Sequence, residues 1–287
     1  MFFFFFSKFF SAGDGEVPKQ LQGLHCHLVA GFKRTTKQAW RSEASEEGVT
    51  GMLCGNLSTD GPKFEEINGL PWTWEVEATV LGKAGPDETS AEGATGADFI
   101  LQVVVQTPKS IETKAFLFQT KLADSRHNKE HISKQANLLS AWGDGGQFLE
   151  VGPKRATAFG CRDRYRKVLD YRKGPATRVE DLIGPFLKCS RGAPGVYYSP
   201  EARVLSWPTD GGLIAQRSMA GSVATAWVTA AAESGRTALV PARRTRALTK
   251  MESVTLARYV RPSERQNTRL YSRTDGYVDA KHRLRSR

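Results

Sequence analysis

Two short runs, Gly96-Ala97-Asp98-Phe99 and Phe118-Gln119-Thr120-Lys121, set a carboxylate, an amide oxygen and an ammonium one β-hairpin apart. Between them lie Ile100, Leu101, Val103, Val104 and Val105, a polar turn from Thr107 to Thr113 that contains Pro108, and then Ala115, Phe116 and Leu117. Branched and aromatic residues on either side of a polar turn predict antiparallel strands over 98–106 and 114–122. The first strand begins where the second ends, so Asp98 lies near Lys121 across the ladder. Gln119 and Lys121 are two apart and share a face of their strand. The three groups converge at the end of a buried hairpin, an arrangement that suits a divalent cation and an activated water. Register decides whether they meet. Opposed residues of an antiparallel pair share a face, so Asp98 must face Gln119 or Lys121, not Thr120 or Leu122. A turn centred on Ser110 has the wrong parity, which a bulge or a one-residue shift repairs.

The elements that must hold this hairpin follow from periodicity. Leu21, Leu24, Leu28, Phe32 and Trp40 recur at mostly helical spacing over 17–45, with Gly23 and Gly31 as weak points. Ser45-Glu46-Glu47 ahead of Val49, Met52, Leu53 and Leu57 predicts a second short helix with acids in its first turn. Trp72, Trp74, Val76, Ala78 and Val80 alternate with Glu75 and Glu77 and predict a half-buried strand. A Gly-, Pro- and Ser-rich loop follows over 82–96. Beyond Lys121, a helix over 128–142 carries Ile132, Ala136, Leu138 and Leu139 and stops at Gly143-Asp144-Gly145-Gly146. Short strands are expected from Phe148 to Val151 and from Arg155 to Cys161. Further on, Asp181 to Leu187 predicts a short helix and Gly195 to Trp207 a hairpin turning at Pro200-Glu201. Residues 211–233, with Leu213, Ile214, Val223, Trp227 and Val228, predict an Ala-rich helix, and a last helix is expected over about 246–260. The chain then divides into an N-terminal helical segment with a Phe-rich start (1–40), a core domain (41–170), an α+β extension (175–235) and an Arg-rich tail (236–287).

The order helix–strand–strand–strand–helix–strand, with Asp opening the second strand and Gln-x-Lys ending the third, resembles the restriction-endonuclease-like (PD-(D/E)xK) superfamily. Within it the likeness is to the Mrr-like variety, which has Gln in place of the middle acid. Residues 92–98 (EGATGAD), Gln119-Thr120-Lys121 and Gln135 carry the likeness, which spans about 40–165. It implies an α/β restriction-endonuclease-like core, a mixed sheet flanked by helices, and a nuclease that hydrolyses phosphodiester bonds of DNA with Mg²⁺ or Mn²⁺. Mg²⁺ keeps several waters, so one or two protein carboxylates suffice. On this resemblance Asp98 is the principal metal ligand, helped by the Thr120 carbonyl and the Gln119 side-chain oxygen. Lys121 orients and helps deprotonate the attacking water, or offsets charge on the transition state. Gln in place of an acid removes one negative charge, so a second carboxylate belongs nearby: Glu92 first, then Glu47 and Glu46. Gln135 would reach the same cleft, and His127 and His131, four apart on its helix, could line it, although surface histidines are commoner. Each residue also has a plainer reading: a turn cap for Asp98, a snorkelling stem for Lys121, solvent-facing polar positions for Gln119, Glu92 and Gln135.

Composition bounds the partners. The chain of 287 residues, 40% apolar, holds one large domain or a core with an extension. Its net charge of +11 is concentrated: residues 236–287 hold fourteen Lys/Arg against four Asp/Glu. A basic tail on a nearly neutral body points to a polyanion, most simply nucleic acid. Arg243, Arg244 and Arg246, with Tyr259, Tyr271 and Tyr277 further along, suit phosphate contacts and occasional base stacking. Arg162 and Arg164 would extend that surface. The rival readings are a solvated tail without a partner, a non-catalytic nucleic-acid-binding protein, and a protein whose tail docks an acidic partner. Cutting both strands would favour a homodimer. Four cysteines without CxxC spacing fit buried thiols in a reducing compartment. Neighbouring residues cannot easily share one tetrahedral ion, which weighs against a metal at His25-Cys26-His27. The run Phe2 to Phe10 is too short to span a bilayer and lacks a preceding basic segment. A cytoplasmic protein, not integral to a membrane, is therefore expected.

Overall fold

Leu24, Leu28 and Phe32 form the buried stripe of α1 (Gln22–Arg41). In the computed structural model, which describes residues 17–67, 70–80, 91–106, 111–123, 128–161, 171–188, 190–208, 214–218 and 221–230, this stripe meets α2 (Glu46–Leu57). The Ser45 hydroxyl caps α2 by accepting from the Gly48 amide at 3.1 Å, and Glu46 and Glu47 sit in its positive first turn. The two helices touch through Gly31, where a Cβ would meet Leu57 Cδ2 at 2.6 Å. The chain continues as β1 (Lys63–Ile67), β2 (Leu70–Val80), the short α3 (Ala91–Thr95), β3 (Phe99–Gln106) and β4 (Ile111–Leu122). Next come α4 (Lys129–Ser140), β5 (Gly146–Val151), β6 (Ala156–Gly160), β7 (Ala176–Arg178) and α5 (Val179–Leu187). Five strands follow: β8 (Ala193–Pro194), β9 (Tyr197–Ser199), β10 (Val204–Pro208), β11 (Ile214–Ser218) and β12 (Ser222–Ala230).

The fold is α/β, with a mixed sheet flanked by helices. Its strand order is β1-β2-β12-β3-β4-β5-β6-β7, with β8 added beside β4. Two pairs are parallel, β12 with β3 and β4 with β5, the latter joined through α4. The sheet separates two cores. On one face Phe99, Leu101, Phe116 and Phe118 pack against α1, α2 and α5. On the other, Ile100, Leu117 and Phe148 pack against α4 and the small sheet β11-β10-β9. Buried Gln102 joins three strands: its Nε2 donates to the Tyr198 carbonyl (2.7 Å) and Thr225 Oγ1 (2.8 Å), and its Oε1 accepts from the Tyr198 amide. No helix among the described residues is long and apolar enough to cross a membrane.

The helix expected over 211–233 is absent from the described part of that segment, which forms β11 and β12 instead. β12 runs between β2 and β3, in the middle of the main sheet. Its residues show no alternation because both faces are covered: Ala224, Ala226 and Val228 face the α1–α2 core, and Val223 the other. Ala has high helix propensity, but tertiary burial overrides it here. β1, at the sheet edge, was not expected from periodicity. The Phe-rich start, Cys189, His127, Arg162, Arg164, the helix over 246–260 and the tail with Arg243, Arg244 and Arg246 lie outside the described residues.

The β3–β4 register ends with Phe99 opposite Phe118, which leaves Asp98 just outside the ladder. The Asp98 amide donates to the Phe118 carbonyl at 3.0 Å, one residue out of step with that register, as at a bulge. From there the Asp98 side chain meets both Gln119 and Thr120. Gly96 makes the approach possible, with φ +78° and its Cα so near α4 that a Cβ would stand 2.7 Å from the Gln135 carbonyl oxygen. Gly96→Ala should lower stability by about 1–3 kcal/mol through strain and overpacking. The urea midpoint measures it.

Candidate active site

At the mouth of the hairpin the Asp98 carboxylate collects donors from both faces of β4. Thr120 donates through its amide (3.0 Å) and hydroxyl (3.0 Å) to Oδ1, and Gln119 Nε2 donates to Oδ2 at 2.8 Å. The Thr50 hydroxyl of α2 lies 3.5 Å from that of Thr120. Burial pushes the Asp98 carboxyl up to about 7, against the Thr120 hydrogen bonds and the Lys121 charge, which favour the carboxylate. The Glu92 charge adds to the upward shift.

The remaining groups stand around this carboxylate. Lys121 is 4% exposed, and its Nζ meets Glu46 Oε2 of the first turn of α2 at 2.9 Å. Glu92 of α3 accepts from Gln135 Nε2 of α4 at 2.7 Å, with His131 Nε2 at 3.9 Å. Asp98, Gln119, Lys121, Glu92, Glu46 and Gln135 thus gather at one end of the sheet. Glu47 faces solvent. Two buried amide oxygens, Gln119 Oε1 and Gln135 Oε1, have no hydrogen-bond partner among the described residues. Unpaired buried acceptors are costly, and each such atom calls for a cause.

Among the described residues, no group of three or more His, Cys, Asp or Glu side chains is close enough to hold a metal ion. The donors present are nevertheless of the right chemistry for a hard cation that keeps most of its water. A carboxylate has about four lone-pair directions, and the donors named above leave Asp98 room for one more partner. Orphaned Gln119 Oε1 stands beside it. Elsewhere, His27 Nε2 donates to the Leu57 carbonyl at 2.7 Å and its ring lies 5.5 Å from Trp74, so this histidine is structural.

Three polar side chains near the site carry no sequence signal. Glu150 of β5 is the register partner of Lys121. Its Oε2 accepts from the Tyr171 hydroxyl at 2.6 Å and pairs with Arg172 Nε. The Tyr171 ring stacks on Phe148 with centroids 4.6 Å apart. Residues 171–173 sit in a single turn without periodicity, so nothing local marks them. The chain matches no family model, no curated protein and no solved structure.

Its raised carboxyl makes Asp98 a pH-dependent contributor to stability. Its folded value, about 7, lies above the ordinary carboxylate value of about 3.9. Between these limits the folded chain holds a proton that the unfolded chain has lost, so this contribution to stability is complete below about pH 4 and is lost as pH rises through 7. Glu112, also raised to about 7 by burial, titrates in the same window. Asp98→Asn should remove part of the decline in urea midpoint across that range, and leave the Glu112 part.

Proposed function

We propose that this chain is a metal-dependent nuclease that hydrolyses phosphodiester bonds of DNA, built on a restriction-endonuclease-like core. One observation carries the reading: the Gln119 amide donates to the Asp98 carboxylate at 2.8 Å while its own buried oxygen has no partner among the described residues, two positions before Lys121. These are the residues through which the sequence resembles Mrr-like nucleases. Mg²⁺ or Mn²⁺ would be held by Asp98 and Gln119, with Glu92 as the second carboxylate, and would supply Lewis-acid charge and acidify a water. The chain's own groups do the rest. Thr120 holds Asp98 by two hydrogen bonds, and Gln135 holds Glu92 by one. An ammonium already in an ion pair cannot accept a proton. The Glu46 pairing therefore supports charge offset at the phosphate, of the two roles expected for Lys121. Cutting both strands would require two such sites, which favours a homodimer.

A second reading is favoured by the lack of a three-ligand cluster among the described residues. On it, the chain binds nucleic acid without cutting it, since a fold does not guarantee activity. Incubation of purified protein with plasmid and linear DNA separates the two. The nuclease reading expects cleavage in Mg²⁺ or Mn²⁺ and none in EDTA. Asp98→Ala and Lys121→Ala should each slow it about a hundred- to a thousandfold. Salt-sensitive binding without cleavage supports the second reading, and no affinity at low salt leaves only a partner-binding protein.

A further inference from the structure

We propose that Arg172, with Lys154 and Arg155, forms a phosphate-binding rim that carries a nucleic-acid strand past Lys121. The proposal takes its polymer from the nuclease reading and adds the surface that would hold it. Lys121, Glu150 and Thr157 are register partners across β4, β5 and β6, so their side chains start from one row on one face of the sheet. Glu150 therefore stands next to Lys121, and its Oε2 is taken up by Tyr171 and Arg172. Arg172 Nη2 also donates to the Ala123 carbonyl at 2.6 Å, two residues beyond Lys121 in the chain.

Held at two points, the guanidinium keeps one orientation beside the site, yet 42% of the Arg172 side chain remains exposed. A fixed guanidinium fork suits phosphate oxygens better than a flexible ammonium does. Its neighbours add charge. The Ala123 amide donates to the Val151 carbonyl at 3.1 Å, and the Gly152 amide to the Arg155 carbonyl at 3.0 Å. The β5–β6 turn thus lies against the segment that Arg172 grips. That turn exposes Lys154 and Arg155, and Lys173 is exposed next to Arg172. Among the described residues, the acid bonded within this group is Glu150, whose Oε2 is taken up by Tyr171 and Arg172. Cations at such sites contact phosphates and fix a strand's path without reading its sequence.

The test is binding of the full chain to fluorescently labelled single-stranded and duplex oligonucleotides by anisotropy, in EDTA, across a salt series. Arg172→Ala should lower the slope of log affinity against log salt by about one, and Lys154→Ala/Arg155→Ala by about two. Each should weaken binding several-fold at about 50 mM salt. The double variant lies on an exposed turn and removes none of the hydrogen bonds that Glu150 accepts from Tyr171 and Arg172, so a folding defect in Arg172→Ala does not mask the answer. Comparison with the parent chain separates the rim from the basic tail. Slopes equal to the parent's in both variants overturn the proposal, as does a parent chain without salt-dependent binding. Metal-dependent cleavage with unchanged slopes leaves the nuclease reading standing without the rim. Reduced slopes without any cleavage do the reverse.

Discussion

The Asp98 carboxylate lies where a hairpin mouth meets two helices, and at that depth a charge is tolerated only when its oxygens are bonded. The backbone and hydroxyl of Thr120 and the amide of Gln119 meet that demand. Each donor is available only because the β3–β4 ladder has one register. A slip of a single residue would carry the Gln119 side chain and the Thr120 amide away from the carboxylate. Gly96 has no side chain for a related reason: the loop entering β3 runs against the backbone of α4. The candidate chemistry and the local packing are therefore one constraint.

The constraint extends through the sheet. Lys121 lies one residue before the end of β4, but its counter-charge comes from the first turn of α2, far away in sequence. Glu92 is steered by α4 through Gln135. The helices on the two faces thus each contribute one acid to the same corner, and the buried strands between them hold the spacing. Gln102 does comparable work at the centre, joining β3 to β12 and β9 by hydrogen bonds that leave none of its polar atoms unpaired.

Much of this was legible before any coordinates. The acid-rich first turn after Ser45, the strand from Trp72 to Val80 and the paired strands on either side of residues 107–110 depend on local patterning and lie where expected, although β4 begins at Ile111, inside the expected turn, and Glu75 is buried where alternation turned it outward. Asp98, Gln119 and Lys121 could be grouped because hairpin partners are close in sequence. What escaped depends on distant neighbours. The stretch around Val223 to Val228 looks helical because a strand buried on both faces loses its alternation. Glu46 could be named as an acid near the site but neither matched to Lys121 nor chosen over Glu47, since helix rotation decides which acid points inward. Glu150, Tyr171 and Arg172 meet through a non-periodic turn that no spacing rule reaches.

The position of β12 has a consequence for how the chain is made. The strand that separates β2 from β3 is emitted near residue 230, long after its two neighbours. Until it leaves the ribosome, β2 and β3 each present an open inner edge that invites wrong pairing. Pairing across so many intervening residues is also slow. The sheet therefore closes only after the chain has been made through β12. A nascent chain must keep these two edges apart, on its own or under a chaperone, until the wedge arrives.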